Sequence, residues 1–156
     1  MDLQGRVLRN WPVFDPFLNI DKIINIPVAK HHSLTGTTVG MKNWYGILGG
    51  PRHQLHRKIN EGLVDLADFV RPTLTIIDCY GVLIRNGPTG GNLEDVVLKK
   101  TVEVGTDPVA LDAYVAKAYW NLEVSSCHTC KWLPRVASGH VSSTRSYTNQ
   151  AVVVTS

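Results

Sequence analysis

Arg71-Pro72-Thr73-Leu74-Thr75-Ile76-Ile77-Asp78 is the stretch on which the fold turns. Pro72 lacks the N–H that a helix interior needs, so it ends the helix before it. Leu74–Ile77 then reads as a short buried strand, with Asp78 as its polar end. Upstream, Leu55, Ile59, Leu63, Leu66 and Val70 recur at helical spacing and predict an amphipathic helix over 52–70. Gly62 weakens its middle by about 1 kcal/mol relative to Ala. Farther upstream, Lys22 to Ala29 is rich in Ile and Val and predicts a strand, in which Pro27 marks an edge or a bulge. Thr35–Gly40 reads as a loop and 41–48 as one or two helical turns. Residues 1–20, interrupted by Pro12 and Pro16, read as a connector wrapped over the domain.

Downstream, Asn86-Gly87-Pro88-Thr89-Gly90-Gly91 is a loop, and Leu98 to Gly105 predicts the next strand. Asp107-Pro108 opens a helix, because Asp is a preferred N-cap and Pro at the first helical position loses no needed donor. Val109–Trp120 is apolar nearly all round, which predicts burial on more than one side. The order strand, helix, strand, strand, helix predicts an α/β layered domain with a short, largely parallel sheet flanked by helices. The domain spans residues 1–124, and 125–156 form a separate irregular tail.

At 156 residues one domain is expected, and 44% apolar with 19% charged residues argues against disorder. No apolar run reaches the roughly 20 residues that span a bilayer. The first residues carry neither a basic nor an apolar signal region, so the chain reads as cytoplasmic with no membrane partner. Cys79, Cys127 and Cys130 make no disulfide framework. The net charge of +3 conceals a division. Residues 22–60 contain no Asp or Glu but carry Lys22, Lys30, Lys42, Arg52, Arg57, Lys58 and four of the six histidines. Residues 61–112 carry nine acids against four bases. Such sorting signals a concave anion site or a solvated face. The basic stretch offers no reading helix for nucleic acid.

In parallel sheets ligands bind beyond the carboxyl ends of the strands. The three predicted strands run into Lys30-His31-His32, Asp78 and Thr106-Asp107, and if all point one way these residues share one edge. Lys42-Asn43 and the Asn86–Gly91 loop then form the rim. Each residue also has a plainer reading. Lys30 and Lys42 suit a solvated surface, Asp107 suits an N-cap, and Asp78 suits a strand end. The glycine loop lacks the lysine and hydroxyl of a P-loop and reads as a tight turn or a phosphate cradle. Asp112, among apolar neighbours, needs a partner when buried, and a Lys or Arg of the basic half is expected. His53 and His56 stand at i, i+3, a spacing that can place two imidazoles on one metal.

These segments resemble the family called domain of unknown function 362 (DUF362). The resemblance lies in Ile24–His32, Thr35–Asn43, Arg52–His56, Asn86–Gly91 and Gly105–Ala113. It covers about residues 20–122, corresponding to the C-terminal part of the family domain. It implies an α/β protein from a family some of whose members are fused to iron–sulfur modules and some of which carry twin-arginine export signals. It implies a recurrent site without naming a reaction or a cofactor. Lys30, His32, Lys42, Asn43, Asp107 and Asp112 fall on matching motif positions. Two departures stand out: Cys79 follows Asp78 where the family has glycine, and a further upstream α/β segment is absent.

From Ser125 onward no periodicity survives, and the single CxxC of Cys127 and Cys130 is a weak metal or redox signal. The expectation is that this tail is an out-of-frame reading and forms no stable element. Three functions compete. In the first, an enzyme takes a small anionic substrate: Lys30, Lys42, Asn43, Arg52, Asn86 and Asp107 bind it, His32 transfers a proton, and Asp112 or Asp78 orients a cation. In the second, a metal-associated or electron-transfer accessory module uses His32, His53 and His56 beside an iron–sulfur partner protein or domain. In the third, the chain is an incomplete, inactive gene product.

Overall fold

Pro27 divides the first predicted strand. The computed structural model describes residues 3–123 and the backbone of 152–155, and in it Ile24–Asn25 (β1) and Val28–His32 (β2) are separate strands. Gly36–Thr38 (β3), expected as loop, pairs antiparallel with β2. Gly40–Asn43 (α1) is a single turn, continued by a 3-10 turn over Trp44–Ile47. The helix predicted over 52–70 falls into two parts: a 3-10 stretch at Arg52–Lys58, then an α-helix at Ile59–Val70 (α2). Lys58 breaks the two with non-helical φ −132° and ψ 34°. Leu74–Leu83 (β4), Val96–Gly105 (β5), Pro108–Trp120 (α3) and Val152–Thr155 (β6) complete the chain.

The α/β layering expected from the sequence is what forms. The sheet is mixed, in the order β3-β2-β4-β5-β6, with β1 also on β4. β1 and β2 run parallel to β4, whereas β4 with β5 and β5 with β6 are antiparallel. The reversal of β5 overturns the expectation that the ends at Ala29, Ile77 and Gly105 share one edge: Gly105 pairs with Thr75, near the start of β4. β4 also does not stop at Ile77, since Asp78 lies within the strand with an exposed side chain. Its Oδ1 accepts from Tyr80 N at 2.9 Å.

The core lies between the sheet and the helices. Ala29, Val39, Ile77, Cys79 and Val82 pack against Leu111 and Val115 of α3. α3 buries one face, with Tyr114, Lys117 and Ala118 exposed, so the expected burial on several sides does not occur. Cys79, standing where glycine is expected, is fully buried there, and burial pushes its thiol up to about 12. A second cluster joins Leu55, Ile59, Leu63 and Leu66 to Trp44, Ile47 and the N-terminal Leu3 and Leu8. Buried Asp65 of α2 fastens that N-terminal segment, accepting from Val7 N at 2.8 Å and Leu8 N at 3.0 Å. Val152–Thr155 belong to the tail for which no element was expected, yet they pair with β5. Residues 124–151, with Cys127 and Cys130, lie outside the described residues. No helix among the described residues is long and apolar enough to cross a membrane.

Candidate anion-binding site

β2 carries Lys30, His31 and His32 to its carboxyl end. Strand alternation puts Lys30 and His32 on one side and His31 on the other. β3 returns beside them, pairing Lys30 with Thr38 and His32 with Gly36. The chain then turns at Gly40 into α1, which presents Lys42 and Asn43.

That turn is held from below by Asp112. Its Oδ1 accepts from Gly40 N at 2.8 Å and its Oδ2 from Met41 N at 3.0 Å. Only glycine fits at 40, because a Cβ there would lie 2.7 Å from Asp112 Oδ1. Burial raises the Asp112 carboxyl to about 7, against the opposing pull of the two N–H donors. The cationic side-chain partner expected for Asp112 is therefore replaced by backbone of the basic half. Asn25 holds the other side of the turn: its Nδ2 donates to Gly40 O at 2.9 Å, and its Oδ1 accepts from Asn43 Nδ2 at 2.7 Å. Asn43 thus has a bracing contact in place of the ligand contact expected of it. Asn25 is not among the residues expected at the site, although an amide within an Ile-rich strand is a signal, since a buried amide must find partners.

Tyr45 gathers further cations. Lys42 Nζ lies 5.4 Å and the Arg52 guanidinium 5.7 Å from its ring centroid. His56 stacks on the same ring at 6.2 Å with planes 12° apart. The Tyr45 hydroxyl donates to Arg52 O, and Arg52 Nη1 donates to Tyr45 O at 3.4 Å. This pair ties the Arg52–Lys58 turn to the turn that follows α1.

Burial lowers the His32 pKa to about 4, and the groups that add to the effect are all bases: Lys42, His31, Lys30 and His56. Burial, then Lys30, lowers Lys42 as well. His32 Nδ1 accepts from Leu34 N at 3.2 Å, so at neutral pH the ring proton sits on Nε2. His32 is then a neutral N–H donor, and in the free protein it is not poised near pH 7 for proton exchange. The two ion pairs among the described residues, Arg85–Asp95 and Lys117–Glu123, involve none of these groups.

The remaining expected members do not join the cluster. Asp107 caps α3, its Oδ1 accepting from Val109 N at 2.9 Å and Ala110 N at 3.0 Å. It follows the end of β5, near the amino end of β4, whereas Lys30 pairs with Leu83 at the carboxyl end. Asp78 pairs with Val28 and lies five positions before Leu83. Asn86 donates to the buried Asp95 at 2.7 Å. The glycine loop is a turn: Gly87 N donates to His31 Nδ1 at 3.0 Å and Gly90 N to Asn86 O at 3.1 Å, so these amides are not a free cradle. His53 makes no ring contact among the described residues, and no group of three His, Cys, Asp or Glu side chains suited to a metal occurs among them.

Fold and site together define an α/β domain in which basic side chains of β2, α1 and the turn that follows act on one another. The chain belongs to the family described as Domain of unknown function (DUF362), whose model matches residues 1–117. That match begins earlier than the motif resemblance and takes in the N-terminal segment. The chain is also similar to Thylakoid-associated protein sll1697 of Synechocystis sp., being 29% identical over 103 residues. The match covers 61% of this chain and 31% of that protein, so the chain spans less than two thirds of the relative's length. No solved structure matches.

Proposed function

We propose that this DUF362 domain binds a small anion in the crevice between β2 and α1, as the substrate-holding part of an enzyme. One observation carries the reading: Lys30 and Lys42 both act on His32, Lys30 acts on Lys42, and Lys42 shares the Tyr45 ring with Arg52. Like charges held together at half-buried positions are costly, and an anionic ligand relieves that cost. Lys30 and Lys42 hold the anion by charge-assisted hydrogen bonds, His32 donates through Nε2, and Arg52 closes the rim. Asp112, Asn25 and Asn43 position α1. Asp78, Asp107 and Asn86 have no part in this reading.

The test is calorimetric titration of the purified chain with inorganic phosphate, beside Lys30→Ala and His32→Ala, with circular dichroism to establish that each variant folds. Both variants are expected to lose most of the affinity while keeping their secondary structure. Unchanged affinity in both would refute the assignment. The metal-associated alternative finds no favouring observation, because His56 is engaged with Tyr45 and no third ligand joins it among the described residues.

A further inference from the structure

Lys30 and His32 lie on one side of β2, Lys42 lies beyond the turn that follows β3, and that arrangement selects among anions. We infer that the ligand is a doubly charged tetrahedral oxyanion, a phosphate or phosphoryl group, in preference to a monocarboxylate; the inference rests on the anion-binding reading above.

The geometry is that of two lysines on adjoining supports. Lys30 is fixed by its pairing with Thr38, and Lys42 follows four positions later, beyond the turn braced by Asp112 and Asn25. Both are half-buried, and Lys30 is the charge that acts on Lys42. A single negative charge compensates one ammonium and leaves the other facing it, whereas a dianion compensates both. His32 is neutral with its Nε2–H available, so it adds a donor without adding charge.

An independent feature points the same way. The Thr38 hydroxyl is buried and has no hydrogen-bond partner among the described residues. Directly paired residues in a β ladder project to the same side, so this hydroxyl shares the side of Lys30. A buried hydroxyl left without a partner costs free energy, and an oxyanion oxygen beside Lys30 supplies the acceptor it lacks. Two lysines, one ring N–H and one hydroxyl then offer more donors than the two oxygens of a carboxylate use well. A tetrahedral oxyanion, with three or four oxygens pointing apart, suits them.

Three probes separate charge from shape: methyl phosphate, sulfate and acetate, titrated calorimetrically into the full chain at constant ionic strength. A phosphate monoester has its second pKa near 6, so it is a dianion at about pH 7.5 and a monoanion at about pH 5.0. Sulfate keeps two charges at both. At the higher pH, methyl phosphate and sulfate are expected to bind at least about tenfold more tightly than acetate. On acidification, methyl phosphate is expected to lose affinity relative to sulfate. Lys42→Gln is expected to bring the two dianions close to acetate, because one ammonium then remains. Acetate binding as well as the dianions would overturn the two-charge inference and leave the anion reading standing. Saturable binding of none of the three would overturn both.

Discussion

Asp112 has both carboxylate oxygens on backbone N–H groups, a role that no apolar replacement can fill. Asp112→Ala leaves the amides of Gly40 and Met41 buried without partners, each at a cost of about 1–3 kcal/mol. The variant is expected to lose about 2–5 kcal/mol of unfolding free energy, read from urea transitions, and Asp112→Asn less. A loss below about 0.5 kcal/mol would show that the turn into α1 stands without the carboxylate. His32 yields a pH dependence of definite sign. Its folded pKa of about 4 lies below the ordinary 6.5, so the unfolded chain takes up the proton first as pH falls. The stability tied to neutral His32 is therefore present above 6.5 and lost as pH falls through about 4. Asp112 acts the other way: its carboxyl is raised from 3.8 to about 7, so its contribution is present below 3.8 and lost as pH rises through about 7. Urea midpoints for wild type, His32→Gln and Asp112→Asn across this range separate the two slopes. NMR titration of the ring protons is expected to place the His32 transition below pH 5, and a midpoint near its ordinary 6.5 would remove the basis for a buried neutral ring.

Elements were legible where an apolar spacing and a stop signal coincide. Pro72 closes α2, Pro27 marks the break between β1 and β2, and Asp107-Pro108 opens α3, each through a local restriction on the backbone. The 3-10 stretch at Arg52–Lys58 was not legible. Leu55, Ile59, Leu63 and Leu66 keep their phase across the break at Lys58, so the periodicity looks continuous while the hydrogen bonding changes. The residue pattern ends β4 at Asp78 because Asp is rare in strands, yet a strand with a solvent-facing side accommodates one there. The cationic half of the site followed from charge sorting. The acids were misplaced because the direction of β5 is set by its antiparallel pairing with β4, which the amino-acid pattern of β5 does not encode. One element end is open to improvement. Arg71, the C-cap of α2, adopts φ 43° and ψ 71°, a left-handed conformation natural to glycine. Its guanidinium Nε donates to Asp68 O at 2.9 Å in an exposed setting, where such a bond contributes little. Arg71→Gly is expected to raise the unfolding free energy by about 0.5–1 kcal/mol, seen as a higher melting temperature. A lower melting temperature would show that the exposed bond outweighs the relieved backbone.

Across the whole molecule the sheet has two unlike faces, and α3 sits on one of them. Ile77 and Val82 on that side are fully buried, and Ala29 beside them packs into the same cluster. Val28, Tyr80 and Val102 project to the other side and stay exposed, at 50%, 54% and 36%. Val28 and Val102 both pair with Asp78, so a carboxylate stands between two valines on the open face. One substitution on each side tests this layering. Ile77→Ala opens a cavity under α3 and is expected to cost about 2–5 kcal/mol. Val28→Thr keeps a β-branched side chain in a strand and removes little buried area, so its cost is expected to stay within about 0.5 kcal/mol. Both are read from the same urea transitions, with slopes that should agree if neither variant alters the surface exposed on unfolding. If Val28→Thr proves as damaging as Ile77→Ala, the face that carries Asp78 is covered in solution, and the two-layer arrangement that places α3 and Asp112 beneath the turn into α1 must be redrawn.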